Sequence, residues 1–235
     1  ALLNQAIEEG EFSKEQYPFG KRRYQIPSSN NIKKALSLKE VGLIYNHKSK
    51  GEEWITKAKD VFMFSYFGNG INIKDILRLK FGNIDGPFIR FTRAKTERTT
   101  RYKSSQISFA LSQEITDIIE RWGNKNTSPQ NFIFPVLYEG VSPIQEMKIV
   151  QQFTKMVNKY LKVVVKEVGI DKHITSYFAR HSFATVLYRS GVSTEFISES
   201  LGHSNLNTTA SYLGSFDDEK KASVVDTLRQ FTKLD

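Results

Sequence analysis

SYFARHSFATVLYRSGVSTEFISESLGHSNLNTTASYLG, residues 176–214, is the stretch whose reading decides the fold. It carries Arg180, His181, His203 and Tyr212, with Tyr177 and Tyr212 towards its two ends. Glycines at 191 and 202 split it, which predicts several short helices rather than one long one. Arg180 falls among Phe178, Ala179, Phe183 and Ala184, mid-helix in an apolar setting. A guanidinium there is costly unless it is paired, and its best partners are carboxylates and phosphates. The next acid in the segment is Glu195, so the pattern points to an anion from outside, such as a phosphodiester. His203, after a glycine at a helix end, also reads as a cap or a packed imidazole, and Tyr212 also reads as core. The stretch therefore poses a choice. Either one tyrosine is a nucleophile, or this is a helical DNA-binding module without chemistry.

Working outward, the rest of the chain reads as mainly α with a small antiparallel β-sheet (α+β). Residues 1–10 resemble the tail of a helix. YPFGKRRYQIPSSNN, with Pro18, Gly20 and Pro27, reads as an extended basic linker and marks a domain boundary. Ser37 and Glu40 form a capping box ahead of a helix. EEWITKAKDVFMFSYFG is a strongly apolar helix ending near Gly68, and NIKDILRL is a short one opening at Asn72, with Asp75 three residues on as in an N-cap. GPFIRFTRAKTERTTRYKSSQISFAL alternates and is rich in aromatic and β-branched residues, predicting two or three antiparallel strands. Ser112 caps the next helix. Ser142, Pro143 and Gln145 open a long one, with a core stripe through Met147, Phe153, Val157, Tyr160, Leu161 and Val164. A last amphipathic helix covers about 217–231, with Val224, Val225, Leu228 and Phe231 as its apolar stripe.

Composition narrows the chemistry. The 235 residues include no cysteine, which excludes disulfides, thiolate catalysis and Cys-based zinc sites. The four histidines are scattered and lack metal-ligand spacing, so no metal or other cofactor is expected. No run reaches the ~18 to 20 apolar residues of a membrane span. The formal net charge is +9, and its distribution matters more than its size. Residues 19–50 hold eight Lys/Arg against Glu40 alone. Residues 74–103 hold nine against Asp75, Asp85 and Glu97. Two basic blocks make nucleic acid the leading partner.

The motifs ARHSFAT, LGHSNLNTTASY, GINIKDILRLKFGNID and IRFTRAKT together resemble the tyrosine recombinase (phage integrase) family. The family pattern is Arg-His-[Ser/Thr]-Phe-Ala-Thr, then Leu-Gly-His, then a Tyr nine residues beyond that His. Here Arg180 precedes His203 by twenty-three residues, and Tyr212 follows His203 by nine, both as in the family. The resemblance covers roughly residues 30–235, and YPFGKRRYQIP with NIKKAL looks most like integrases of Bacteroides-type mobile elements.

The resemblance implies covalent DNA strand exchange without ATP or metal. Tyr212 would attack a phosphodiester and form a 3′-phosphotyrosine. Arg180 would grip a non-bridging oxygen, and His203 would bind the phosphate or assist proton transfer. Lys95 would protonate the leaving 5′-oxygen. It also implies an upstream core-binding domain, with residues 1–20 as its last helix, 21–35 as linker and 36–235 as catalytic domain. Lys21, Arg22, Arg23, Lys33, Lys34 and Arg98 would contact double-stranded DNA. A tetramer would form on DNA, with the C-terminal helix passed in trans and a DNA-bending accessory protein as a further partner. The implied location is the bacterial cytoplasm.

Two positions depart from the pattern. Tyr177 stands where the family usually has a histidine, and a phenol is a poor proton acceptor at neutral pH. Asn72 stands where the family has an early arginine. Arg93 is the expected replacement, because in a strand it shares a face with Lys95 two residues on. Arg78 and Arg98 are weaker candidates. Two other readings compete: a non-catalytic helix-turn-helix regulator built on GVSTEFISESLGHSNLNTTASYLG, and an enzyme like the type IB topoisomerases.

Overall fold

The structure is a computed structural model, and it describes residues 2–20, 23–25, 35–49, 51–94, 106–203, 205–210 and 212–213. The chain divides into two compact units, Ala1–Ile32 and Lys33–Asp235. The first unit holds helix α1 (Leu2–Glu8), which buries none of its residues. A 3₁₀ turn at Lys14–Gln16 follows, capped by the Ser13 side chain. Edge-to-face contacts join Tyr17 to Phe19 and Phe19 to Tyr24. The Arg23 guanidinium donates to the Tyr17 and Lys14 carbonyls.

The second unit is built around α3 (Glu53–Phe67). This helix is buried on nearly every side, through Ile55, Ala58, Val61, Phe62, Met63 and Phe64. A helix that is apolar all round needs neighbours all round. They are α2 (Leu38–Asn46), α4 (Ile73–Arg78), α5 (Gln113–Trp122), α6 (Pro143–Glu167) and α7 (Phe178–Arg189). Helices α8 (Thr194–Ser200) and α9 (Leu206–Ala210) complete the described chain. No described helix is long and apolar enough to cross a membrane.

The sheet comprises β1 (Ile84–Asp85), β2 (Phe88–Thr92) and β3 (Gln106–Ala110), antiparallel and in that order. In the register, Ile89 faces Phe109 and Phe91 faces Ile107. These four residues are buried and alternate with exposed or half-buried ones, the period-2 pattern of a sheet with one face on the core. Phe109 meets Phe64 edge-on at 6.2 Å, tying the sheet to α3.

Capping follows the sequence signals. Ser37 with Glu40 and Ser142 with Gln145 form complete capping boxes, and Pro143 sits in the first turn of α6. Burial alone would raise the Glu40 carboxyl. Its bonds to Lys172 and Ser37 overcome this and hold it below the ordinary value.

Three expectations need correction. Met147 is 51% exposed, outside the α6 core stripe, which begins at Phe153. The first turns of α6 instead meet α4 through Glu146, whose carboxylate lies 3.3 Å from Lys74 and 3.9 Å from Arg78. Asn72 does occupy the N-cap position of α4, but its side chain makes no cap hydrogen bond. Asp75 is also turned away from the helix end, its buried carboxylate accepting from Ala94 N at 3.0 Å. Finally, Arg180 belongs to the first turn of α7 rather than its middle.

Asp60 is the main buried acid of α3, at 3% exposure. It accepts hydrogen bonds from Trp122 Nε1 at 2.8 Å and from Arg121 Nη1, fixing α5 to α3. Asp60→Ala leaves the indole N–H without its acceptor. The expected cost is about 1–3 kcal/mol, read as a lower urea midpoint at unchanged slope.

Candidate active site

Three chain segments converge on the Arg180 guanidinium. The first is the turn after α3. Asn69 and Gly70 take positive φ angles of 55° and 68° there, and the Ser65 hydroxyl closes the turn by donating to Ile71 O at 2.7 Å. Arg180 Nη1 donates to Gly70 O at 2.8 Å. A Cβ on Gly70 would stand 2.9 Å from Arg180 Cγ, so the close approach requires glycine as well as the φ angle does. The second segment is the C-terminal end of α8, where Arg180 Nη2 donates to Leu201 O at 2.6 Å. The last carbonyls of a helix lack intrahelical partners and carry partial negative charge, so they suit a cation. The third is the loop after α8, where His203 Nε2 lies 3.0 Å from Arg180 Nη2.

That last contact fixes a tautomer. A guanidinium has only donors, so His203 Nε2 must accept and the ring is neutral. Its proton sits on Nδ1, 3.0 Å from Thr209 Oγ1, a fully buried hydroxyl on α9. The basic nitrogen of His203 is therefore the one turned towards Arg180.

Arg93 reaches the same helix end. Its Nη1 donates to Leu201 O and Gly202 O, each at 3.2 Å. Gly202, with φ 62°, again leaves no room for a side chain. A Cβ would stand 2.4 Å from Ile107 Cδ1 and 3.1 Å from Arg93 Cδ. Arg93 does not sit in the strand as expected: β2 ends at Thr92, and the next backbone N–H but one, that of Ala94, donates to Asp75. It arrives at the site nonetheless. Burial, and then the charge of Arg93, pull the Arg180 guanidinium below its ordinary value. Two cations held this close in a dry setting are what a bound anion would relieve.

Tyr212 lies beside this cluster. Its N–H donates to Thr209 O at 2.8 Å, and Thr185 Oγ1 on α7 donates to its carbonyl at 3.2 Å. The His181 ring stacks on the Tyr212 ring at 4.4 Å and 23°. His203 packs at 5.1 Å, and the Arg180 guanidinium lies 5.7 Å from the ring centre. The hydroxyl is hydrogen-bonded to the hydroxyl of Tyr177, the residue at the head of α7. Partial burial, then this bond, push the Tyr177 phenol up to about 12.

Of the residues expected from sequence, Arg180, His203, Tyr212, Tyr177 and Arg93 thus come together. Asn72 lies two residues past Gly70, on the turn that supplies the carbonyl to Arg180. Arg78 is turned to Glu146, and Arg23 to carbonyls of its own unit. Lys95, Arg98, Lys21, Arg22, Lys33, Lys34 and the helix at 217–231 lie outside the described residues. Sequence reading gave no site role to His181, Thr209 or Gly70, and read Gly202 only as a helix break. The position of His181, directly after Arg180, was the one available signal.

Comparison with known proteins places this helical domain with its small sheet in a family. The model of the phage integrase family matches residues 34–219. The chain belongs to that family. A tyrosine recombinase of Pseudothermotoga lettingae is 27% identical over 176 residues, covering 73% of this chain and 55% of the relative. Tyrosine recombinase XerD of Chlamydia muridarum is 23% identical over 180 residues, covering 75% and 56%. The chain thus spans about half the length of these curated relatives. Among solved structures, the Tn1549 transposon integrase in complex with a circular intermediate DNA superposes with TM-score 0.59 at 16% identity, covering 95% of this chain and 74% of the other. A lambda integrase dimer bound to a core site gives TM-score 0.55 at 15%, covering 89% and 68%. At these identities the likeness is one of fold.

Two measurements check the geometry. With ¹³Cζ-labelled tyrosine, Tyr212→Phe removes the bonded hydroxyl, and the Tyr177 resonance should titrate at lower pH than in the wild type. In Thr209→Val the His203 ring loses its Nδ1–H acceptor, and its ¹⁵N shifts should move from the Nδ1–H form towards a tautomer mixture.

Proposed function

We propose that the chain is the catalytic part of a tyrosine-type site-specific DNA recombinase, with Tyr212 as nucleophile. The observation that carries this reading is the convergence of Tyr212, Arg180 and His203 on one point, with Arg93 beside them. Tyr212 attacks a DNA phosphodiester, giving a 3′-phosphotyrosine and a free 5′-hydroxyl. The ester retains the energy for rejoining, so the cycle consumes no ATP. Arg180 and Arg93 neutralise the charge that builds on the phosphoryl oxygens. Arg93 thereby stands in for the arginine that Asn72 replaces. His203 offers its neutral Nε2 to the phosphate or to a proton in flight. Lys95 protonates the departing 5′-oxygen.

On the same reading, Lys21, Arg22, Arg23, Lys33, Lys34 and Arg98 hold the DNA backbone through salt-sensitive contacts. Four copies assemble on two duplexes, exchange their C-terminal helices in trans and work with a DNA-bending protein. The reaction integrates, excises or inverts a mobile element of the Bacteroides type in a bacterial cytoplasm.

A helix-turn-helix regulator would need neither the two guanidiniums at the end of α8 nor a tyrosine packed on Arg180. The experiment that decides is a covalent trap: incubation with a pool of nicked duplexes with randomised flanks, followed by a denaturing gel. A protein–DNA band should form, vanish in Tyr212→Phe, and release the preferred site on sequencing. If Tyr212→Phe still forms the band, or no pool yields one, the assignment fails. Arg93→Ala should slow adduct formation by about tenfold or more, as expected for a lost charge-assisted bond. Arg93→Lys should slow it less. Unchanged rates in both would remove Arg93 from the chemistry.

A further inference from the structure

We propose that Tyr177 is a hydrogen-bond donor to the nucleophile: its hydroxyl stabilises the Tyr212 phenolate during attack and again when that phenolate leaves on rejoining. This rests on Tyr212 being the nucleophile. The surroundings of the Tyr212 ring carry the argument. His181 covers one face at 4.4 Å, while His203 and Arg180 pack around it at 5.1 Å and 5.7 Å. These groups surround the ring, while the hydroxyl bonds to the hydroxyl of Tyr177, with the Arg180 guanidinium as a second hydrogen-bonding neighbour. Between two neutral phenols either can donate. Once Tyr212 ionises, only Tyr177 can.

The electrostatics assign the roles the same way. Arg180 on α7 and Arg93 after β2 draw the Tyr177 phenol down, but its burial and its bond to Tyr212 outweigh them. Tyr177 therefore keeps its proton near neutral pH, and a phenol that keeps its proton cannot act as a general base. His181 meets Tyr177 edge-on at 4.9 Å and helps to fix the ring. In the balanced step, Tyr212 gives its proton to water and its oxygen bonds to phosphorus. The P–O5′ bond breaks, and the 5′-oxygen takes one proton. Tyr177 gains and loses none.

The test uses the full chain and the duplex recovered from the randomised pool, made with a natural scissile phosphate and with a 5′-bridging phosphorothiolate. The sulfur leaves without protonation, so it separates nucleophile from leaving group. Tyr177→Phe should slow adduct formation about tenfold near neutral pH, and its rate should rise with pH at higher pH than in the wild type. Both substrates should show this defect, with DNA binding unchanged. Wild-type rates across the pH range would overturn the proposal. Rescue of Tyr177→Phe by the phosphorothiolate would also overturn it, by placing Tyr177 on the leaving group. An adduct formed by Tyr212→Phe would instead sink the underlying reading of the nucleophile.

Discussion

The second unit depends on one guanidinium. Arg180 holds Gly70 O, Leu201 O and His203 Nε2 together, three points at sequence separations of 110, 21 and 23 residues. A buried arginine normally needs an acid. Here two carbonyls from the ends of α3 and α8, with a neutral imidazole, supply acceptors without supplying negative charge. The group is hydrogen-bonded yet remains a full cation. A carboxylate would have satisfied it and cancelled it.

The neighbouring features keep that balance. Gly70 and Gly202 hold left-handed turns whose missing side chains let Arg180 and Arg93 lie against backbone. The Thr209 hydroxyl keeps the His203 proton on the side away from Arg180. The buried core of α3 and the sheet fixes the positions of both turns, so the site is held by helix ends rather than by a long loop.

Much of this could be read from sequence because it rests on local rules. Serine caps, the alternating strands and the Gly191 and Gly202 breaks each act within a few residues. The spacing of Arg180, His203 and Tyr212 also carried the family resemblance. Other features depended on tertiary partners. Met147 fits the α6 periodicity but lies on turns that meet α4 through Glu146. Asp75 looked like part of a helix cap and is an acceptor for Ala94 across nineteen residues. The search for an acid near Arg180 could not reveal that backbone carbonyls would serve instead. The ring stacking of His181 on Tyr212 spans thirty-one residues and left no periodic trace.

The bond from Thr185 to the carbonyl of Tyr212 has a further consequence. Thr185 and Arg180 lie on the same helix, so α7 presents the arginine and also anchors the backbone of the tyrosine beside it. One helix thereby sets the position of both groups.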